Sequence, residues 1–374
     1  FLPRRINPLF HYSLLMSTSS TPNFSYVITA LRFPLILFVV AIHLVGEDLR
    51  LPQWGSPDWF YLYSTEFISH SLARIAVPMF FFISGYYAFY KKDWSQRSVW
   101  TVELKKRVKT LLVPYLLWNS LYIIILLSKT QLETRLGSGP HDTFYLTSIP
   151  EFLSYYWNEV IVYPLWYLRD LIVLCALSPI LYRLITWSRG YILLPLFVCF
   201  LMAWECSFAA FGFGTISFFC FMFGGYLAIK QIDPLEKLQR VKYIAGLIAL
   251  VTVFILPLLS QWSGYKTVES IYILTGSASA LLLMQRVGQR APEVLQRLSS
   301  LNQYVFFIYA VHTVLLVNWA RGIVFRIPAL REDGSGALLG YFLIGALTLA
   351  FSFACYAVMK KVAPRVLSIL SGGR

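Results

Sequence analysis

Apolar runs of bilayer length recur along this chain, and nothing constrains its fold more. A helix needs about 20 predominantly apolar residues to cross ~30 Å of hydrocarbon. In lipid, every backbone polar group must also be satisfied within the protein. Runs that meet or approach this length lie at 27–46, 67–90, 107–128, 165–186, 191–208, 213–230, 242–260, 268–287, 303–320 and 337–360. With 57% hydrophobic and 13% charged residues, the 374-residue chain is too apolar for a soluble protein of its size. The expected fold class is all-α: a polytopic integral membrane protein with about ten transmembrane helices. The runs 191–208 and 213–230 are short and separated only by a brief FAAFG turn. Residues 1–25, with a polar Ser/Thr-rich stretch from Met16 and no cleavable signal, are expected to be a flexible cytoplasmic segment. Residues 26–362 form the transmembrane domain and 363–374 a short cytoplasmic tail. No internal repeat is apparent.

Ten spans place both termini on one side, and the charges say which. The segments 1–25, 91–109, 183–190, 230–242, 286–297 and the C-terminal end hold 22 of the 32 Lys and Arg residues, and the opposite set holds seven. This positive-inside bias puts both termini in the cytoplasm. It also accounts for the net charge of +14 without nucleic acid. The segment KKDWSQRSVWTVELKKRVK (91–109) reads as a topogenic loop, or as a surface that attracts an anionic ligand such as a nucleotide phosphate. The five cysteines lack metal-ligand spacing and read as small buried hydrophobes, so no metal is expected.

The remaining three cations, Arg32, Arg74 and Arg169, lie inside the expected spans. Charge in hydrocarbon costs at least about 2.5 kcal/mol, so such residues face a protein interior or a wet cavity. Arg32 and His43 share the first span, eleven residues apart. At ~100° per residue that is about three whole turns, so both lie on one stripe, ~16 Å apart along the axis. Taken alone, Arg32 reads equally as snorkelling to the cytoplasmic headgroups, and His43 as a packed or interfacial histidine. The shared stripe turns both toward one interior.

The second span, HSLARIAVPMFFFISGYYAFY (70–90), places Arg74 at about the depth of His43, too deep to snorkel easily. Pro78 should disturb the helix, and Ser84-Gly85 should admit a close neighbour. His70 reads as exposed and inert. In PLWYLRDL (164–171), Trp166 precedes Arg169 and Asp170, whose adjacency keeps them from facing each other on one helix. Asp170 or Glu205 is positioned to orient His43 as a carboxylate does in a triad; the sequence does not choose between them. In NQYVFFIYAVHTVLL (302–316), His312 lies mid-span with Tyr309 three residues before it. A mid-membrane histidine is a functional candidate, or one satisfied by bonds between helices. The segment PEFLSYYWNEVIVYP (150–164) is expected to lie as a short interfacial helix, where Tyr and Trp are favoured.

Four of these segments together carry a family resemblance: Arg32 and His43; RIAVPMFFFISGYY (74–87); PLWYLRDLIVL (164–174); and FFIYAVHTVLL (306–316). In order and spacing the chain resembles the acyltransferase 3 family of membrane acyltransferases. Many members follow the arginine with glycine; this chain has Phe33-Pro34, and the spacing is intact. The resemblance implies transfer of an acyl group, usually acetyl, from cytoplasmic acyl-CoA to a hydroxyl of an envelope glycan or a lipid-linked sugar, in a bacterial inner membrane. His43 would be the general base, since an imidazole with a pKa near ~6.5 suits that task at neutral pH. Arg32 would hold or polarise the acyl-CoA. Arg74 would stabilise the oxyanion or the acceptor. Trp166, Arg169, Asp170, Tyr309 and His312 would contribute to substrate binding. Acyl-CoA, the sugar acceptor and membrane lipids are the expected partners. On composition alone, a proton-coupled carrier or flippase suits ten spans with intramembrane Arg and His equally, although no pair of broken spans in matching positions supports it.

Overall fold

The computed structural model describes residues 22–45, 54–135, 148–158, 160–203 and 213–373. Helices dominate throughout, and no β-strand is present among the described residues. Six helices are long and apolar enough to cross a membrane: Phe24–Ile42, Asp58–Phe89, Arg97–Leu132, Pro234–Leu259, Tyr265–Arg290 and Ala337–Val362. A seventh is counted if Asn302–Val314 and Val317–Val324, which meet at a 58° bend, form one broken span.

Helix α1 (Phe24–Ile42) starts where the Asn23 side chain accepts the Tyr26 N–H at 2.9 Å, a standard N-cap. It ends one residue before His43. The second membrane crossing begins about ten residues earlier than its apolar run. Ser56 caps α2 (Pro57–Glu66) by accepting the Trp59 N–H, and Asp58 sits in the first turn. A π-helical turn (Phe67–Ser71) and a 3₁₀ turn (Leu72–Ile75) join α2 to α3 (Ala76–Phe89). Pro78 lacks the N–H that would bond to the Arg74 carbonyl, which helps explain why the backbone is irregular there.

The third crossing comprises α4 (Arg97–Arg107), a π-helical turn and α5 (Val113–Arg135). The tyrosine-rich segment before residue 164 contains a short helix, α6 (Ile149–Trp157), as expected.

The runs 165–186, 191–208 and 213–230 differ from expectation. The first divides at Leu177 into α7 (Trp166–Ala176) and α8 (Ser178–Trp187), because Pro179 starts a new helix rather than continuing the old one. The second contains α9 (Leu193–Leu201), nine residues long. The third is α10 (Thr215–Ile229), whose 15 residues rise only ~22 Å.

Helices α11 (Pro234–Ile255) and α12 (Tyr265–Arg290) form an antiparallel pair. They are followed by α13 (Pro292–Ser300) and α14 (Asn302–Val311), then by α15 (Val317–Val324), α16 (Ala337–Val362) and α17 (Pro364–Leu370). The last of these lies in the segment read as a short tail. It packs on α5, where the Trp118 indole donates to the Leu370 carbonyl at 3.1 Å.

Helix α1 occupies the centre, bordered by α3, α12, α13 and α14. The closest helix pair is α3 with α10. A Cβ on Gly85 would collide with the Phe221 carbonyl, and one on Gly224 with the Phe82 carbonyl. These reciprocal glycines let two backbones touch, which replaces the missing hydrophobic drive for helix association in lipid. Outward-facing Leu247, Val251 and Phe254 on α11, and Val358 on α16, are exposed. In water such a surface would be a liability; in a bilayer it faces the solvent it is suited to.

Candidate active site

One cavity of about 280 Å³ joins the two residues that share the α1 stripe. Arg32, Ile36, Val39 and His43 line it in sequence from α1. Those steps of three and four residues are a single helical face. The opposite walls come from Val77, Phe80, Ile83, Ser84 and Tyr87 of α3, Trp166, Tyr167, Leu168 and Leu171 of α7, and Asn302, Val305, Phe306 and Tyr309 of α14. At this volume it stands at the small end of ligand pockets.

The Arg32 end is basic. The guanidinium lies over the Tyr87 ring, 5.0 Å from its centre, a favourable cation–π contact. The Tyr87 hydroxyl is fixed by Ser25 and Thr29, at 3.0 and 2.8 Å. The Lys92 ammonium donates to the Tyr87 carbonyl at 2.9 Å and to Glu103 at 2.8 Å. Arg107, which also lines the cavity, stands 3.8 Å from the same Glu103 carboxylate. Asn302 donates to the Thr29 carbonyl at 2.8 Å, while its Oδ1 is buried without a hydrogen-bond partner. Two guanidinium groups and an amide thus meet at one mouth. Lys92 lies outside the spans, and burial lowers its pKa while the Glu103 carboxylate opposes that shift.

The His43 end is aromatic. The His43 ring lies 5.9 Å from that of Tyr163 and 5.2 Å from that of His312, between ring centres. His312 is fully buried and opens a π-helical turn (His312–Leu316) at the bend between α14 and α15. Such turns break the regular ladder and recur at functional sites. The Tyr309 hydroxyl donates to the Pro164 carbonyl at 2.5 Å, tying α14 to the turn before α7. Its ring meets Tyr167, whose hydroxyl is 3.2 Å from Ser84 Oγ. The C-terminal end of α1 is anchored from two sides. Ser69 donates to the Ala41 carbonyl at 2.6 Å, and Arg321 to the Leu44 carbonyl at 2.8 Å.

Of the residues singled out from sequence, Arg32, His43, Trp166 and Tyr309 line this cavity, and His312 stands behind His43. Arg169 and Asp170 do pair, contrary to the expectation from helical spacing. Arg169 reaches back along its own helix, and Nη2 lies 3.0 Å from Asp170 Oδ1. Helix geometry separates neighbouring Cβ directions, but a long guanidinium side chain can bend around that separation. Nη1 of Arg169 also donates to the Trp157 carbonyl, and Ser217 donates to Asp170 Oδ2 at 3.1 Å. Glu205 lies outside the described residues.

Arg74 belongs to a second buried cluster. Its Nε is 2.9 Å from Glu269 Oε1 and 3.2 Å from the His70 carbonyl. Lys266 reaches the other Glu269 oxygen at 3.1 Å. His70 is buried, not exposed as its position implied, and its Nδ1 lies 2.7 Å from Glu66 Oε2. The π-helical turn Phe67–Ser71 carries it, a distortion with no sequence signature.

Arg107 comes from the basic segment 91–109, whereas Asn302, Tyr87 and Tyr163 carry no individual expectation from the sequence. Asn302 has a signal in retrospect, as a carboxamide at the start of an otherwise apolar run. Tyr163 and Tyr87 sit among many aromatics and have none.

A family model for an acyltransferase domain matches residues 25–357. The succinoglycan biosynthesis protein ExoH of Rhizobium meliloti (strain 1021) is 27% identical over 377 residues, an alignment covering 94% of this chain and 93% of its own length. No solved structure matches the chain. The resemblance seen in four separate motifs therefore extends across nearly the whole chain, which belongs to the acyltransferase 3 family and is a membrane-embedded O-acyltransferase.

Proposed function

We propose that this enzyme takes a short acyl group, acetyl in the simplest case, from acyl-CoA at the cytoplasmic face and transfers it to a hydroxyl of an envelope polysaccharide or its lipid-linked precursor. The observation that carries the reading is the single cavity bordered by both Arg32 and His43. One mouth presents Arg32 and Arg107, suited to a polyanionic donor. The middle is apolar, lined by Ile36, Val39, Leu111, Leu168 and Val305, and accepts a thin uncharged arm. The far end offers an imidazole.

Orientation follows from charge. The Lys- and Arg-rich segments support an arrangement with the Arg32 end and both termini in the cytoplasm and the His43 end outside. About ten membrane-embedded segments are retained in this reading, with α7 to α10 acting as short or broken spans packed against longer ones. The bacterial inner membrane is the matching location. Sugar acceptors are supported by the similarity to a succinoglycan biosynthesis protein.

His43 takes the proton of the acceptor hydroxyl as its oxygen attacks the thioester carbon. The new C–O bond forms, the C–S bond breaks, and His43 returns the proton to the departing thiolate. Arg32 holds the donor. Arg74, bonded to Glu269, would serve the acceptor or the oxyanion from the neighbouring cluster. Asp170, with its desolvated carboxylate held by Arg169 and Ser217, would set the turn carrying Tyr163 and Trp166.

Mass spectrometry of envelope glycans from cells with and without the protein tests this. A missing acyl mass on a sugar residue is expected in its absence. Identical glycans from both would contradict the proposal.

A further inference from the structure

His312 has no solvent exposure, and its surroundings assign a role to each ring nitrogen. Nδ1 lies 2.8 Å from the Tyr309 carbonyl oxygen and 3.1 Å from that of Ile308. A carbonyl oxygen only accepts, so Nδ1 carries the hydrogen, and in the neutral ring Nε2 holds a lone pair. That Nε2 is buried without a hydrogen-bond partner. A buried acceptor with no donor is costly, and calls for something that donates to it.

One ring that can supply a donor stands beside it, that of His43. Its ring centre is 5.2 Å from that of His312, at an interplanar angle of 45°. Rotating the His43 ring about its side-chain bonds from that separation can bring a ring nitrogen within about 2.7–3.2 Å of Nε2, the range of a hydrogen bond. Thr313 Oγ1 and Arg321 Nε, which follow His312 in the chain, are also buried without a partner, but of these donors only His43 also lines the cavity. Tyr163 meets the His43 ring edge to face and is exposed. Tyr309 donates to Pro164, Nη2 of Arg321 to Leu44, and Asp170 is bonded to Arg169 and Ser217.

We infer that His312 is the positioning residue for His43: its Nε2 accepts one ring N–H of His43, which leaves the other His43 nitrogen unprotonated and turned to the cavity. This rests on the reading of His43 as the base. The role is the one a carboxylate plays behind a catalytic histidine, here filled by a neutral ring. A neutral acceptor fits a membrane interior, where a second charge would itself have to be desolvated. Proton accounting is simple. The hydroxyl proton arrives on the cavity-side nitrogen of His43 and leaves from it. The proton shared with His312 stays on His43.

The test combines ring-nitrogen NMR with kinetics. Protein carrying ¹⁵N-labelled histidine is reconstituted in liposomes, and the His43 and His312 signals are assigned from their loss in His43→Gln and His312→Gln. The expected result is an Nδ1-protonated His312 and one His43 tautomer, which becomes a mixture in His312→Phe. With acetyl-CoA as the probe donor, His312→Phe should lower kcat about 100-fold, the lower end of what general-base catalysis supplies, with KM for acetyl-CoA little changed. His312→Asn, which restores a carbonyl acceptor, should recover about tenfold of that loss. A wild-type His312 protonated on Nε2 overturns the proposal whatever the variants' activity. So does a His43 tautomer indifferent to His312→Phe. Full activity in His43→Gln would instead sink the base assignment, and the NMR coupling would still report on the pair.

Discussion

Arg32 of α1 and His43, which caps the C-terminal end of that helix, border one cavity eleven residues apart. The ~16 Å between them is a large part of the thickness of the hydrocarbon core. In the proposed function the cation for the donor would sit on α1 and the base for the acceptor at its C-cap, so that helix geometry sets most of the distance between them.

Replacing Arg32 with lysine keeps the charge and loses the planar contact with Tyr87 and the forked donor geometry. KM for acetyl-CoA should rise about tenfold, equivalent to about 1.4 kcal/mol, with a smaller change in kcat. Initial rates over a range of acetyl-CoA concentrations read this directly. An unchanged KM would remove Arg32 from the donor site.

Arg74, a quarter exposed, pairs with the buried Glu269 carboxylate, and each compensates the other. Arg74→Met leaves the buried Glu269 carboxylate with only the exposed Lys266, and should destabilise the protein by about 3–5 kcal/mol. The double variant Arg74→Met/Glu269→Leu should be less destabilised than the two single losses added together. A thermal-unfolding double-mutant cycle in detergent measures the difference. Strict additivity would show that the pair is not coupled.

The residues that were legible in the sequence are those on regular helices. The Arg32–His43 stripe follows from 3.6 residues per turn, and six of the expected spans appear as long apolar helices. What was not legible depends on departures from that period. The π-helical turns at His70 and His312, the break at Leu177 and the early start at Ser56 shift positions by a turn or more. Pairing was harder still. Glu269 sits 195 residues from Arg74 and looks like an ordinary charge near the start of α12. The Arg169–Asp170 contact arises from side-chain length, which backbone spacing does not encode.

The α3–α10 contact depends on two glycines with no room for a methyl group. Gly85→Ala and Gly224→Ala should each cost about 1–3 kcal/mol, because the obstructing Phe221 and Phe82 atoms are backbone and cannot rotate away. Gly246 on α11 has open space within 4 Å of where a methyl group would stand, so Gly246→Ala should be neutral or stabilising by up to ~1 kcal/mol. Melting temperatures of the three variants in one detergent decide this. Equal behaviour would show that the close approach is not limiting.

The central claim is that His43 activates the acceptor at the far end of the cavity that Arg32 opens. Its most direct measurement is transfer of radiolabelled acetyl from acetyl-CoA into envelope polysaccharide by membranes holding wild-type protein or His43→Ala at equal, folded abundance. The account predicts labelled polysaccharide with the wild type and a loss of about 10²–10⁴-fold or more with His43→Ala. Undiminished labelling by the His43→Ala membranes would contradict it.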